Sequence, residues 1–153
     1  RRHTRSLCDW SSDVCSSDLF NDPAWGGTTA QQLLSQGYDV IFGAGGNTGN
    51  GALLRIAKKK GAYCIGVDAD QWGTLAEARP CLVTSAMKLI TQGVADVVET
   101  DTNGTWKGGN FFGAVGLAPY HDFAKKVPAA VQKKVAALTP KVLSGAVDTG
   151  VKL

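Results

Sequence analysis

Residues 38–72, YDVIFGAGGNTGNGALLRIAKKKGAYCIGVDADQW, constrain this chain more than any other stretch. An apolar run, Val40-Ile41-Phe42, ends in a small polar turn, Gly45-Gly46-Asn47-Thr48-Gly49. A helical segment follows, and a second apolar run, Ile65-Gly66-Val67, ends on Asp68. The order strand, loop, helix, strand is the repeating unit of a parallel sheet. Parallel neighbours bring the glycine turn and the carboxylate to the same sheet edge, where α/β folds bind polar ligands.

The remaining chain continues the pattern. Its 153 residues are about one domain's worth. Pro23 suits the first turn of a helix with Asp22 or Asn21 as N-cap, and Gly37 stops that helix. Strands are expected over 38–43, 62–67, 81–84 and 111–117. Helices are expected over 52–60, 85–99 and 121–126, with a last one from Pro128 to about Gly145 that Pro140 kinks or splits. Residues 69–80 read as a loop. The fold class is α/β, a parallel sheet with helices on both faces. No apolar run approaches the roughly 20 residues of a membrane-spanning helix. A net charge of +3, spread over small lysine clusters in helical contexts, gives no argument for nucleic acid.

The first nineteen residues, RRHTRSLCDWSSDVCSSDL, follow different rules. They lack apolar periodicity and the layout of a signal peptide. Residues 9–19 resemble the translation of a common sequencing adapter, and Arg2–Arg5 resembles its upstream part. Residues 1–19 are therefore expected to be foreign and disordered, and residues 20–153 to be the natural protein. Cys8 and Cys15 then leave the cysteine arithmetic. Arg1, Arg2 and Arg5 cancel Asp9, Asp13 and Asp18, so the charge is unchanged. The natural N-terminus, with any export signal, is expected upstream.

Four constellations carry the chemistry. The glycine turn fails the dinucleotide spacing: counting from Gly43, the third glycine position is Thr48. It also lacks the lysine of a phosphate loop. Its N–H groups can still donate to hydroxyl or carbonyl oxygens, and Gly45 and Gly46 leave room for a ligand. Asp68, at a strand end, offers two acceptors to vicinal hydroxyls or caps a turn. Asp70 and Gln71 are weaker candidates that also serve as loop caps. Lys88, placed in a helical first turn, opposes the helix dipole, which points to a ligand oxygen or to Asp68 as its partner. Phe20, before the Asp22 cap, is a hydrophobic staple or a stacking platform. No His/Cys cluster has metal spacing. Cys64 and Cys81 begin strands that can be neighbours, and both a disulfide and two buried thiols stay open.

Five segments in order, FNDPAWG, DVIFGAGGNTGNG, AYCIGVDADQW, LVTSAMK and GAVGLAP, resemble the C-terminal part of the basic membrane protein family. These are lipid-anchored, extracytoplasmic substrate-binding components of ABC importers, with a type I periplasmic-binding fold. The resemblance runs from Phe20 to about Val147. It implies a nucleoside, of purine type, trapped between two lobes and delivered to a membrane permease. It implies a monomer, no cofactor and no catalysis. Carried onto this chain, it implies base stacking on Phe20, ribose contacts from Gly46 and its neighbours, including Gly45, Asn47 and Thr48, and hydroxyl contacts from Asp68 and Lys88. Asp22 and Asp70 belong to the same motifs. The opposite lobe is absent, so helix 85–99, strand 111–117 or the last helix is expected to expose apolar surface. The competing expectations are a sugar binder or a regulator's effector domain of the same fold, and a nicotinamide-dependent oxidoreductase.

Overall fold

The computed structural model describes the backbone of residues 4–6, and residues 20–111, 113–147 and 150. His3, Cys8 and Cys15 lie outside the described residues. So does Phe112, within the expected strand 111–117.

Helix α1 (Pro23–Ser35) starts as its sequence dictates. Pro23 presets the helical φ, and Asp22 Oδ1 accepts the Trp25 N–H at 2.8 Å. It ends before Gly37, whose φ of +87° is a glycine conformation. Strand β2 (Val40–Phe42) leads into α2 (Gly46–Ala57). This helix begins six residues before the expected Ala52 and absorbs most of the glycine turn. Glycine is a poor helix former, so the reason is tertiary. A Cβ at Gly49 would land inside the Gly43 carbonyl, one at Gly51 inside the Pro23 carbonyl, and one at Gly26 inside the Thr48 carbonyl. At Gly51 and Gly26 helices α1 and α2 touch backbone to backbone, and at Gly49 helix α2 touches the loop after β2; only glycine permits these contacts.

Strand β3 (Tyr63–Asp68) follows, then a short helix α3 (Gln71–Thr74) and a 3₁₀ turn (Ala76–Ala78) within the expected loop 69–80. Strand β4 (Leu82–Lys88) runs four residues past the expected Thr84, and α4 (Ile90–Thr102) starts later than expected. Residues 85–88 are strand because both sides are paired. Gly66 to Asp68 meet Ser85 to Met87 on one side, and β5 (Val115–Leu117) meets Ala86 to Lys88 on the other. The helical spacing from Met87 to Ile90 misled because Met87 lies in a strand. A 3₁₀ turn (His121–Phe123) and α5 (Ala129–Leu143) complete the chain, and α5 continues through Pro140.

With β1 at Thr4–Ser6, the sheet order is β1-β2-β3-β4-β5, with β1 to β4 parallel and β5 antiparallel to β4. The fold is α/β with a mainly parallel sheet flanked by helices, and β5 departs from the all-parallel expectation. Strand β1 (Thr4–Ser6) lies inside the head expected to be disordered, and pairs with Val40 to Phe42. The physical reason is the edge of β2, whose backbone N–H and C=O groups accept an extended segment.

One sheet face is packed. Ile41, Cys64 and Leu82 join Ala30, Leu33, Leu53 and Ile56 from α1 and α2 in the core. Cys64 and Cys81 are bonded across it, with Cα atoms 5.2 Å apart. The opposite face is only half-covered. Helix α5 contributes no buried residue, and Val115 and Leu117 remain exposed. Helix α4 likewise presents Ile90, Val94 and Val98 to solvent, beside a crevice of about 420 Å³ closed by Phe111 and Val115. The expected apolar surface is therefore present on all three elements.

Candidate ligand-binding edge

The C-terminal ends of β2, β3 and β4 share one edge, and the site residues gather along it. Asp68 closes β3 with φ +69°, a left-handed conformation that a residue with a Cβ rarely holds. The Ala69 N–H reaches back to the Val67 carbonyl at 2.8 Å. Asp68 is thus the centre of a three-residue turn with the φ sign of the rarer γ-turn class. Its carboxylate takes the Lys88 ammonium at 2.8 Å, with both side chains about half exposed (49% and 64%). The expected pairing of Lys88 with Asp68 is present, but for a different reason. Lys88 ends a strand rather than opening a helix, so parallel pairing and not the helix dipole sets its position.

The Phe20 motif docks on the start of α2. The Asp22 N–H donates to Thr48 Oγ1 at 2.8 Å, and Asn47 Nδ2 donates to Asn21 Oδ1 at 2.7 Å. Gly46, at φ +55°, would place a Cβ 2.9 Å from the Phe20 carbonyl oxygen. The room expected for a ligand at Gly46 is thus taken up by the chain's own backbone. Gly45, the N-cap, has no side chain with which to cap α2, so the first-turn N–H groups point toward the shared edge. Phe20 is 43% exposed there.

Other named residues spend their polar atoms on the protein itself. Thr48 is buried and bonded to Asp22. Asp22 caps α1. Asp70 caps α3, accepting the Trp72 N–H with Oδ1 at 3.1 Å, and its Oδ2 lies 2.7 Å from His121 Nε2. Sequence reasoning missed what Gln71 does. Buried at the centre of the edge, it accepts the Val67 N–H at 3.0 Å, donates to Asn50 Oδ1 at 2.7 Å, and gives its backbone N–H to Ser85 Oγ at 3.2 Å. One residue therefore ties α2 and β3 through its side chain and β4 through its backbone N–H. The signal available was a long amide beside glycine: a Cβ at Gly66 would collide with Gln71 Oε1 and Ser85 Oγ. His121 and Arg79 were missed as well. They flank Trp72, His121 stacked on the indole with centroids 4.5 Å apart and Arg79 3.9 Å from the ring centroid.

Among the described residues no group of three or more His, Cys, Asp or Glu could hold a metal ion. None of their helices is long and apolar enough to cross a membrane. The edge offers a fixed carboxylate, an ammonium, uncapped amides and an exposed ring, which is equipment for binding polar groups.

The model of the Bmp family, described as ABC transporter substrate-binding protein PnrA-like, matches residues 12–117. The chain belongs to this family. The matched span starts within the adapter-like head and ends with β5, so it takes in Phe20, the start of α2, Asp68, Gln71 and Lys88 but not His121. Two curated relatives, each called CD4+ T-cell-stimulating antigen, come from Listeria monocytogenes and Listeria innocua. Each is 34% identical over 140 residues, covering 79% of this chain and 39% of its own length. The chain thus spans about two fifths of these relatives. A crystal structure of ABC transporter system solute-binding proteins from Aeropyrum pernix superposes with a TM-score of 0.67 at 22% identity. It is matched over 84% of this chain and 45% of its own length. At that identity the likeness speaks to the fold, and the fold is that of a solute-binding protein.

Proposed function

We propose that this chain forms one wall of a nucleoside-binding cleft in the extracytoplasmic substrate-binding component of an ABC importer. The observation that carries the reading is Asp68, held in a left-handed turn and paired with Lys88 at the open ends of two parallel strands. A carboxylate fixed in this way accepts both vicinal hydroxyls of a ribose. Lys88 donates to a hydroxyl or ring oxygen beside them. The amides at the start of α2 donate to a further ligand oxygen, and a purine stacks on Phe20. The family, one of substrate-binding components, supports a role in capture. The buried disulfide supports an oxidising, extracytoplasmic compartment.

The test is ligand-induced thermal stabilisation of the protein at the length of its relatives, with inosine, adenosine, free bases and free ribose. A binder is stabilised by RT ln(1 + [L]/Kd), about 2.7 kcal/mol at a hundredfold excess over Kd. Nucleosides are expected to raise Tm, and Asp68→Ala to remove most of that rise. If ribose stabilises the protein and nucleosides do not, it is a sugar binder. An Asp68→Ala protein that keeps the full rise excludes Asp68 from the site.

A further inference from the structure

Asp68 and His121 are the two non-glycine residues with a left-handed backbone among the described residues, at φ +69° and +41°. They are distant in sequence and are joined by one side chain. Asp70 stands two positions after Asp68, and its Oδ2 lies 2.7 Å from His121 Nε2. A carboxylate accepts, so Nε2 carries the hydrogen. The His121 ring also stacks on Trp72, whose backbone N–H is held by the other oxygen of Asp70. His121 is itself anchored from β4. Just upstream, the Ala118 N–H donates to the Ser85 carbonyl at 2.9 Å, and Thr84 Oγ1 donates to the Ala118 carbonyl at 2.7 Å.

The turn at Asp68 is therefore gripped on both sides. Gln71 holds the Val67 N–H before it, and His121 holds Asp70 after it. The bond of the turn itself, Ala69 N–H to the Val67 carbonyl, spans an unfavourable φ. Such a conformation persists only where its surroundings over-determine it. We propose that His121 is a positioning residue: acting through Asp70 and Trp72, it holds the turn that aims the Asp68 carboxylate at the ligand. The proposal rests on the reading of Asp68 as a ligand-holding group, but the turn can be measured with no ligand present.

The experiment is amide hydrogen exchange, followed by NMR, on the full 153-residue chain. His121→Phe keeps a ring against Trp72 and removes the N–H donor. His121→Gln restores a donor. With His121→Phe, exchange at the Ala69 amide is expected to rise about tenfold, while the core amide of Cys64, bonded to the Cys81 carbonyl, stays unchanged. His121→Gln should recover most of the protection. Asp70→Ser, which can still cap α3 but is too short to reach His121, should loosen Ala69 as His121→Phe does, and it decides the matter if His121→Phe does not fold. An unchanged Ala69 amide overturns the proposal. So does an equal rise at Ala69 and Cys64, or a Gln variant as loose as the Phe variant. In the protein at the length of its relatives, inosine affinity should fall about tenfold with His121→Phe, in step with the loosened turn. Inosine that fails to bind the wild type sinks the nucleoside reading alone. An Ala69 amide indifferent to His121 sinks this proposal whatever inosine does.

Discussion

At Asp68 two small energies oppose each other. The left-handed backbone costs about 1–2 kcal/mol for a residue with a Cβ, while a half-exposed ion pair such as Asp68–Lys88 returns about 0–1 kcal/mol. Glycine removes the strain and loses the pair. Asp68→Gly is therefore expected to leave stability within about 1 kcal/mol of wild type. Asp68→Val removes the same carboxylate but adds a branched Cβ, and should lose about 2 kcal/mol. Urea midpoints of the two variants check this, and equal losses would mean that the charge rather than the backbone governs the site. The carboxylate at a strand end was legible in the sequence, because its apolar run terminates on Asp68. The γ-like turn was not, because φ at Asp68 depends on Gln71, Asp70 and His121, which no local pattern connects to it.

At the scale of elements, the glycines of α1 and α2 show where local propensity gives way. The sequence GNTGNG reads as a turn, because glycine loses more backbone entropy in a helix than any other residue. It becomes the first half of α2 because α1 packs too closely for a Cβ. Neighbouring glycines of α1 should therefore respond oppositely to alanine. Gly26→Ala drives a methyl into the Thr48 carbonyl and should cost about 3 kcal/mol. At Gly27 the nearest atom to a new Cβ is the Gly51 carbonyl oxygen at 3.5 Å, an ordinary contact. Gly27→Ala should gain about 0.5–1 kcal/mol from helix propensity. Thermal unfolding followed by circular dichroism separates the two, and a destabilised Gly27→Ala would refute the packing account. The β3–β4 staple belongs to the same scale. Cys64 and Cys81 are 17 residues apart in sequence, so replacing both with alanine should cost about 3 kcal/mol in urea unfolding. A loss below about 1 kcal/mol would show that the bond contributes little.

At the scale of the molecule, the packed sheet face and the half-covered one divide the chain. Helix α4 carries Ile90, Val94 and Val98 at 62%, 57% and 59% exposure. Side chains already in water contribute little on mutation. Changing all three to serine should shift stability by less than about 1 kcal/mol while sharply reducing the binding of an apolar dye such as ANS. A large loss of stability instead would mean that the face is covered in solution. The charged helix faces, the apolar stripe of α4 and the strand-helix alternation were all legible, since each is a periodic pattern written in neighbouring residues. The start of α4 was misplaced by several residues, because Met87 fits a helical stripe and a paired strand equally well.

The sequence alone determined the α/β class, the order of β2 to β5 and of the long helices among them, the sheet edge that carries Asp68 and Lys88, and the apolar stripes on α4 and α5. Each of these follows from short-range periodicity, caps and turn residues. Tertiary structure alone decided that GNTGNG is helix, that residues 85–88 are strand, that β5 runs antiparallel, and that Gln71 and His121 brace the Asp68 turn. Those outcomes depend on close contact between segments far apart in the chain, where backbone sterics and hydrogen-bond pairing outweigh the local preference of any one residue.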